Sequence, residues 1–307
     1  MGNRSRLGRW VVFLGVSLSG PLPVQGQAPR LLSTDSLAAW LADSGPGRSN
    51  APTILDVRQS WVSYLQNHLP GAAWLNIETL RAQDRELPFQ LLSGSEYAEL
   101  FHRLGTSPNN AVVVYSAGDQ FDIDASFAAW LLASAGAKRV YLLNGGFAKW
   151  ELEGRPVTQR YPRRPPPDAR FKPSSFLPAV ATLDEVRGAV AGSGPLLVDA
   201  RPADQWSGAA GAQARRGHIP GAVNHPWKDD LEKPDLALVW KAPDALRAAY
   251  EAQSITPDRD IILYCNSSTE ASHVFFALKY LLGYPRVRIF TGAWTQWSER
   301  EDLPVEK

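Results

Sequence analysis

The sequence predicts an α/β fold that occurs twice in the chain, each copy a mainly parallel sheet flanked by helices. Three observations predict it. Short apolar runs alternate with helical patterns, as in parallel sheets that are covered on both faces. Four sequence blocks recur in the same order, which indicates a duplicated domain of about 130 residues. The length of 307 residues is enough for two domains, each with its own core.

The recurring blocks define the two copies. Each block reappears about 150 residues later, so the offset is nearly constant along the chain. The first block ends in Asp-x-Arg after an apolar run, and the second is a His-x-Pro-Gly-Ala turn. The matched pairs are residues 54–58 and 197–201, 68–72 and 218–222, 112–116 and 261–265, and 145–150 and 292–297.

Strands and helices alternate within each copy. Apolar or β-branched runs predict buried strands at 54–57, 112–115, 140–143, 196–198, 261–264 and 287–290. Helices are expected after the two strands that end in tyrosine, over about 124–135 and 270–282. Two further helices have start signals, because the pairs Ser93 with Glu96 and Thr182 with Glu185 have the spacing of capping boxes.

Residues 1–27 differ from the rest of the chain and are typical of a secretory signal peptide. Three arginines precede a short apolar run, and small residues follow. The run is shorter than the about 20 residues of a membrane-spanning helix, and an uncleaved anchor is the alternative. We expect a periplasmic or secreted protein with no stable membrane association after leader cleavage. The other predicted segments are a first domain over 28–160, a Pro-rich linker over 161–174 and a second domain over 175–307.

The composition narrows the function classes. Lys and Arg number 32 against 31 Asp and Glu, so the near-zero net charge argues against nucleic acid as a partner. Cys265 is the single cysteine, which excludes an internal disulfide and any cysteine-based zinc or iron–sulfur cluster. The five histidines lack metal-ligand spacing, and no Gly-rich nucleotide fingerprint occurs. We therefore expect no metal site and no bound nucleotide.

Cys265 stands at the end of a predicted strand, where a short polar loop leads into a helix. Ligands of parallel sheets bind at this edge. Loop N–H groups and the positive end of the following helix stabilise a thiolate, the reactive form of cysteine. The opposite interpretation is a small buried residue without a chemical role. The polar loop favours a functional Cys265, with the neighbours Asn266, Ser267, Ser268, Thr269, Glu270 and Ala271.

Over residues 30–307 the chain resembles the two-domain rhodanese family of sulfurtransferases. The resemblance rests on the two Asp-x-Arg strands, the two His-x-Pro-Gly-Ala turns, and the run 271–285 followed by 292–294. It implies that Cys265 is catalytic and that Ser116 occupies the corresponding place in the first domain. It also implies a cofactor-free reaction, in which Cys265 takes a sulfane sulfur from thiosulfate or 3-mercaptopyruvate, becomes a persulfide and passes the sulfur to cyanide or a thiol.

Four positions depart from the family's pattern. Active loops of the family usually carry a cation or Gly after the Cys, Gly at the fourth place, and Thr, Ser or Arg at the sixth. This chain has Asn266, Ser268 and Glu270 there, and Gln205 stands where thiosulfate enzymes place an Arg. We therefore expect that two donor-binding cations are missing, that Glu270 disfavours the thiolate and that thiosulfate activity is weak. The predicted donor-binding residues are Asn266, Ser267, Ser268, Thr269, Glu270, Ala271, Gln205 and Trp294.

Two other functions compete with an efficient sulfurtransferase. One is a rhodanese-like sulfur carrier or anion-binding protein with low turnover, which the unusual loop supports. The other is a phosphatase. Phosphatases of this fold need an Arg six positions after the Cys to grip phosphate, and this chain has Ala271 there, which argues against that activity.

Several polar and aromatic residues outside the loop are predicted to have structural roles. We expect strand-end salt bridges between Asp and Arg of each Asp-x-Arg motif. The histidines of the Pro-Gly turns are expected to hold those turns, and His273 to pack or to face solvent rather than to act as a base. The tryptophans are expected to fill the core, with Trp294 also a candidate for the pocket wall.

Overall fold

A five-stranded parallel sheet lies at the centre of each half of the protein. The computed structural model describes residues 29–44, 51–84, 87–119, 123–162, 166–176, 178–192 and 194–307. The predicted leader over 1–27 lies outside these residues, as do residues 163–165 of the predicted linker. Among the described residues, no helix has the length and apolar character needed to cross a bilayer.

The first half contains seven strands and five helices in its described residues. The strands are β1 (Arg30–Leu32), β2 (Thr53–Asp56), β3 (Ala72–Trp74), β4 (Arg81–Asp84), β5 (Leu87–Leu91), β6 (Ala111–Tyr115) and β7 (Arg139–Leu143). The helices are α1 (Thr34–Ser44), α2 (Trp61–Gln66), α3 (Gly94–Arg103), α4 (Asp124–Ser134) and α5 (Gly146–Leu152).

The second half repeats this alternation. Its strands are β8 (Val180–Ala181), β9 (Leu196–Asp199), β10 (Val223–Asn224), β11 (Leu231–Glu232), β12 (Val239–Trp240), β13 (Ile261–Tyr264) and β14 (Val287–Phe290). Its helices are α6 (Leu183–Val190), α7 (Ala203–Trp206), α8 (Pro243–Ala252), α9 (Thr269–Phe275) and α10 (Ala293–Ser298). All six predicted strands are therefore present, and both halves have the predicted α/β class.

The two sheets have the same strand order. The first runs β1-β7-β6-β2-β3 and the second β8-β14-β13-β9-β10, with every pairing parallel. The central pairs also share one register, because Asp56 lies opposite Tyr115 and Asp199 opposite Tyr264. The repeated sequence blocks therefore meet at equivalent places in space, at the carboxyl ends of the central strands.

Helix starts follow the sequence signals closely. Ser93 and Glu96 form a complete capping box at α3, and Thr182 and Glu185 form another at α6. The helix predicted over 270–282 begins at Thr269 but changes to a π-helical turn over Phe276–Leu281. The wider turn lets two consecutive phenylalanines, Phe275 and Phe276, both pack against Tyr280.

The two halves share one continuous apolar core. Helix α4 is mostly apolar and is buried over most of its length, because it lies between its own sheet and helix α9 of the other half. Trp130 of α4 approaches Phe275 of α9 with ring centroids 6.3 Å apart. Backbone hydrogen bonds add to the contact, since Leu238 N donates to Gly118 O at 3.0 Å. Residues of the first half are thereby held close to the edge of the second sheet.

Candidate active site

Cys265 lies directly after the central strand β13, at the carboxyl edge of the second sheet. Its side chain is fully buried. Helix α9 begins four residues later, at Thr269, so a tight loop turns the chain from the strand into the helix. Helix α10 also holds the backbone of Cys265, because Trp294 N of this helix donates to Cys265 O at 2.7 Å.

Backbone N–H groups converge on the Cys265 sulfur. Those of Ala271, Ser267 and Glu270 donate to it, and each lowers the pKa of the thiol. Loop and first-turn N–H groups have no partner within the helix, which leaves them available to an anion. The cradle of N–H groups expected at this loop is therefore present.

Burial nevertheless outweighs these donors. It raises the pKa of the Cys265 thiol to about 12, and the charge of Glu270 adds to the rise. Burial likewise raises the pKa of Glu270 to about 7, with the charge of Asp199 as the second cause, while Arg201 and a hydrogen bond with Cys265 act against it. The site therefore holds a thiol beside a carboxyl group, and each group raises the cost of charging the other.

Ser268 has a left-handed backbone, with φ at 75°. The resemblance to rhodaneses implies glycine at this loop position, and a side chain with this backbone conformation costs roughly 1–2 kcal/mol. The hydroxyl of Ser268 donates to Thr291 O at 3.4 Å, and its carbonyl accepts from Ser272 N at 2.9 Å. The loop therefore keeps the conformation expected of glycine although its residue is serine.

Asn266 and Gln205, two of the predicted donor-binding residues, contact each other. Asn266 Nδ2 donates to Gln205 Oε1 at 2.8 Å, and Gln213 Nε2 approaches Asn266 Oδ1 at 3.5 Å. Thr295 Oγ1 donates to Asn266 O at 2.8 Å. Gln205 thus lies beside the loop as a neutral residue, and its amide oxygen accepts a hydrogen bond from the loop residue Asn266. Gln213 and Thr295 were not identified from the sequence. Gln213 belongs to no motif, and Thr295 lies in the repeated block 292–297 without a chemical signal of its own.

Trp294 packs into the core beneath the site. Its side chain is buried, and the guanidinium of Arg201 lies 4.6 Å from its ring centroid. Tyr264 and Trp297 belong to the same apolar cluster. The core role predicted for Trp294 is confirmed, whereas its role in a pocket wall stays a prediction.

Arg81 brings a cation from the first half of the protein to the Cys265 loop. This residue begins β4 in the first half, and its side chain is only 6% exposed. Its Nη1 donates to Ser267 O at 3.2 Å and to Thr269 Oγ1 at 3.1 Å. The sequence held no signal for it, because Arg81 lies 186 residues before Ser267 and outside the repeated blocks.

The strand-end salt bridges are present in both halves. Arg58 pairs with Asp56 at 2.7 Å and Arg201 pairs with Asp199 at 2.5 Å, each through a buried guanidinium. Arg201 Nη2 also donates to Gly217 O at 2.8 Å, next to the second His-x-Pro-Gly turn. These contacts tie the strand end to the following turn, as predicted.

The histidines of the motifs have structural surroundings. His68 Nδ1 lies 2.8 Å from Tyr64 O, and His218 Nδ1 lies 2.9 Å from Trp206 O. His273 is buried and stacks on Trp240 with ring centroids 4.0 Å apart. Burial lowers the pKa of His273 to about 3, so it is neutral and packs as expected. Among the described residues, no group of three or more acids, histidines and cysteine is placed to hold a metal ion.

The corresponding edge of the first sheet has no nucleophilic cysteine. Ser116 occupies the place of Cys265, directly after β6, and its side chain is buried. A cavity of about 380 Å³ opens at this edge. Its lining includes Arg58, Gln59, Ser116, Asp119, Asp124 and Phe147. The chemistry expected of Cys265 therefore has no counterpart in this half.

A sequence model for the rhodanese-like domain matches the chain twice, over residues 34–153 and 182–300. The chain belongs to the rhodanese family. A sulfur carrier protein of Thermus thermophilus, TtuD, is 35% identical to this protein over 90% of the chain and 96% of its own length. The 3-mercaptopyruvate sulfurtransferase of Escherichia coli K12 is 33% identical over 79% of the chain and 84% of its own length.

Other comparisons agree with this assignment. The thiosulfate sulfurtransferase of Bos taurus is 33% identical to this protein over 85% of the chain and 90% of its own length. Among solved structures, a variant of EanB in complex with ergothioneine superposes with a TM-score of 0.76 at 21% identity, over 91% of this chain and 70% of that one. That likeness shows the fold. The sulfurtransferases and the sulfur carrier among its relatives support sulfur transfer as the class of reaction.

Proposed function

We propose that the protein transfers a sulfane sulfur from thiosulfate or 3-mercaptopyruvate, through a persulfide on Cys265, to cyanide or a thiol acceptor. The convergence of three backbone N–H groups on the buried Cys265 sulfur carries this proposal. Such preorganised donors stabilise negative charge on a thiolate or persulfide far better inside a protein than in water. The named activities of the Escherichia coli and Bos taurus relatives support these two donors.

The first step forms the persulfide. The Cys265 thiolate attacks the outer sulfur of thiosulfate, the S–S bond of the donor breaks, and sulfite leaves with the bonding electrons. With 3-mercaptopyruvate the C–S bond breaks instead, and the enolate of pyruvate leaves and takes up a proton. In both cases Cys265 keeps one additional sulfur atom, and the anionic leaving group diffuses away.

The second step returns the enzyme to its starting state. Cyanide or a thiolate attacks the outer persulfide sulfur, and the bond between that sulfur and Cys265 breaks. The products are thiocyanate or an acceptor persulfide, together with the Cys265 thiolate. No external oxidant or reductant is required, because the donor's leaving group keeps the electron pair of the bond that breaks and the acceptor supplies the pair for the bond that forms.

We further propose that thiosulfate is a poor donor for this protein. The negative charge of Glu270 lies beside the sulfur, and thiosulfate carries two negative charges of its own. The neutral Gln205 leaves no cation at the place where thiosulfate enzymes carry an Arg. The monoanionic 3-mercaptopyruvate meets less repulsion at the same place.

Parallel steady-state assays with both donors test this function. Wild-type protein should release pyruvate from 3-mercaptopyruvate and form thiocyanate from cyanide over many turnovers, and Cys265→Ser should form none. After incubation with donor alone, the mass of the wild-type protein should rise by one sulfur atom on Cys265. Folded wild-type protein that gains no sulfur from either donor would contradict the proposal.

A sulfur carrier with slow release is the second candidate. The raised pKa of Cys265 favours it, because a thiol reacts more slowly than a thiolate. The Thermus thermophilus relative is itself named a sulfur carrier protein. A persulfide that forms on Cys265 but is stable to cyanide and to dithiols would support this candidate over the enzyme.

We also propose that the leader is removed and that the protein works in the periplasm or outside the cell. The charged and apolar pattern of residues 1–27 supports this. The mass of the protein recovered from secreted and membrane fractions tests it. Full-length protein recovered from the membrane fraction would indicate that residues 1–27 form an uncleaved anchor instead.

A further inference from the structure

The contact of Arg81 with the Cys265 loop crosses from the first domain to the second. A single guanidinium nitrogen, Nη1, reaches the carbonyl oxygen of Ser267 at 3.2 Å and the hydroxyl of Thr269 at 3.1 Å. These two residues flank Ser268, the loop residue with a left-handed backbone. Arg81 therefore holds the chain on both sides of the strained position.

Arg81 is itself fixed before it meets the loop. It forms an ion pair with Glu78, in the turn that precedes β4. Its guanidinium also lies near two aromatic rings, 4.9 Å from the centroid of Phe89 and 5.4 Å from that of Phe127. A planar guanidinium held in this way loses little conformational freedom when it binds its two acceptors.

The left-handed Ser268 matters for the sulfur. The N–H groups that reach the Cys265 sulfur belong to Ser267 before it and to Glu270 and Ala271 after it. If Ser268 relaxed to a right-handed or extended backbone, the N–H groups on its two sides would no longer point to one atom. Glycine would keep this conformation without strain, whereas serine requires an external restraint.

We propose that Arg81 of the first domain is a positioning residue for the Cys265 loop, which it restrains in the left-handed Ser268 conformation that directs the N–H groups to the sulfur. This inference rests on the proposed sulfur transfer. It assigns the domain without a catalytic cysteine a part in the reaction of the other domain. It also explains how the loop is formed without the usual glycine.

A double-mutant cycle between Arg81 and Ser268 tests the inference. Arg81→Gln should lower kcat/KM for 3-mercaptopyruvate about tenfold, which is about 1.4 kcal/mol. In Ser268→Gly protein, the same substitution should lower kcat/KM less than about threefold, because glycine adopts the left-handed backbone without the restraint from Arg81. The matched control is Arg103→Gln, which removes an exposed arginine of α3 and should leave kcat/KM unchanged.

Two outcomes would overturn the inference. One is wild-type kcat/KM in folded Arg81→Gln protein. The other is an equal loss from Arg81→Gln in the wild-type and Ser268→Gly backgrounds, which would indicate that Arg81 acts through its charge rather than through the loop backbone. If Arg81→Gln does not fold, Arg81→Lys replaces it in the cycle. A smaller loss of kcat/KM in the Ser268→Gly background then supports the inference, and an equal loss in both backgrounds overturns it.

Alkylation of Cys265 separates this inference from the proposed function. The rate of its reaction with iodoacetamide depends on the fraction of Cys265 present as thiolate and does not require catalysis. Arg81→Gln should shift the pH profile of alkylation to higher pH, and Ser268→Gly should reverse most of that shift. An unshifted profile would contradict the role of Arg81 even if sulfur transfer is confirmed, and a shifted profile would support it even if no sulfur donor reacts.

Discussion

The carboxyl group of Glu270 is hydrogen-bonded to the thiol of Cys265, inside the loop whose N–H groups also reach that sulfur. Burial raises the pKa of this carboxyl group to about 7 and the pKa of the thiol to about 12. Above pH 7 the thiol therefore faces a negative charge, and below pH 7 it faces a neutral acid. The reactivity of Cys265 should depend on this one neighbour.

Glu270→Gln should increase the alkylation rate of Cys265 at pH 8 by about tenfold, because loss of the charge lowers the pKa of the thiol by about one unit. The gain should shrink below pH 7, where Glu270 of the wild-type protein is protonated. Iodoacetamide kinetics between pH 6 and 9 measure it. Glu299→Gln, which alters an exposed acid after α10, is the control. Equal alkylation rates for the wild-type and Glu270→Gln proteins between pH 6 and 9 would show that Glu270 does not suppress formation of the thiolate.

Glu270→Arg should raise the turnover of thiosulfate several-fold. The substitution replaces a charge that repels the dianion with one that attracts it, and it lies within contact of the sulfur. Steady-state thiocyanate formation measures the change, with Glu299→Arg as a charge-reversal control at an exposed position. Equal or lower turnover in a well-folded Glu270→Arg variant would remove the electrostatic explanation of weak thiosulfate activity.

Arg201→Ala should destabilise the protein by about 3–5 kcal/mol, because it leaves Asp199 buried without its cation. Arg103→Ala, which breaks an exposed ion pair with Glu99, should cost less than about 1 kcal/mol. Urea unfolding followed by tryptophan fluorescence compares the two variants. Similar midpoints for both would contradict a structural role of the buried pair.

His273→Phe should make the protein less sensitive to acid. Burial holds the pKa of His273 near 3, below its ordinary value of 6.5, so the unfolded chain binds a proton that the folded protein does not. The free energy of unfolding is therefore not reduced by this group above pH 6.5. Between pH 6.5 and 3 the group reduces it by about 1.4 kcal/mol per pH unit.

Urea unfolding between pH 4 and 8 measures the effect of His273→Phe. Both ring nitrogens of His273 are without a hydrogen-bond partner among the described residues, and the ring stacks on Trp240, so phenylalanine suits the same space. The free energy of unfolding of the variant should fall less steeply than that of the wild-type protein below pH 6.5. Parallel curves would show that another group causes the acid sensitivity.

Central elements were predictable and peripheral ones were not. The runs that form β6 and β13 are continuous and apolar because these strands are buried on both faces, which leaves a clear sequence signal. The edge strand β1 and the antiparallel pair β4 and β5 carry weaker patterns, since they are partly exposed, and they were not predicted from the sequence. The π-helical turn after α9 also lacks a local signal.

The same division applies to the candidate site. Cys265, its loop and the acid at Glu270 are consecutive in the chain, so their proximity follows from local sequence. The buried state of the sulfur, which raises its pKa, depends on the packing of α9 against neighbouring elements. Gln213 and Arg81 come from segments without a motif, and only the folded chain brings them to the loop.

The sequence by itself determined the duplicated α/β fold, the reactive residue and the altered loop, because repeats, apolar periodicity and motif spacing are all local in the chain. The tertiary structure alone decided which cation reaches that loop. Arg81 lies 186 residues from Ser267, and their separation in space is set by the packing of the two domains through a shared apolar core. Such a distance is a property of side-chain packing at the domain interface, which no local pattern records.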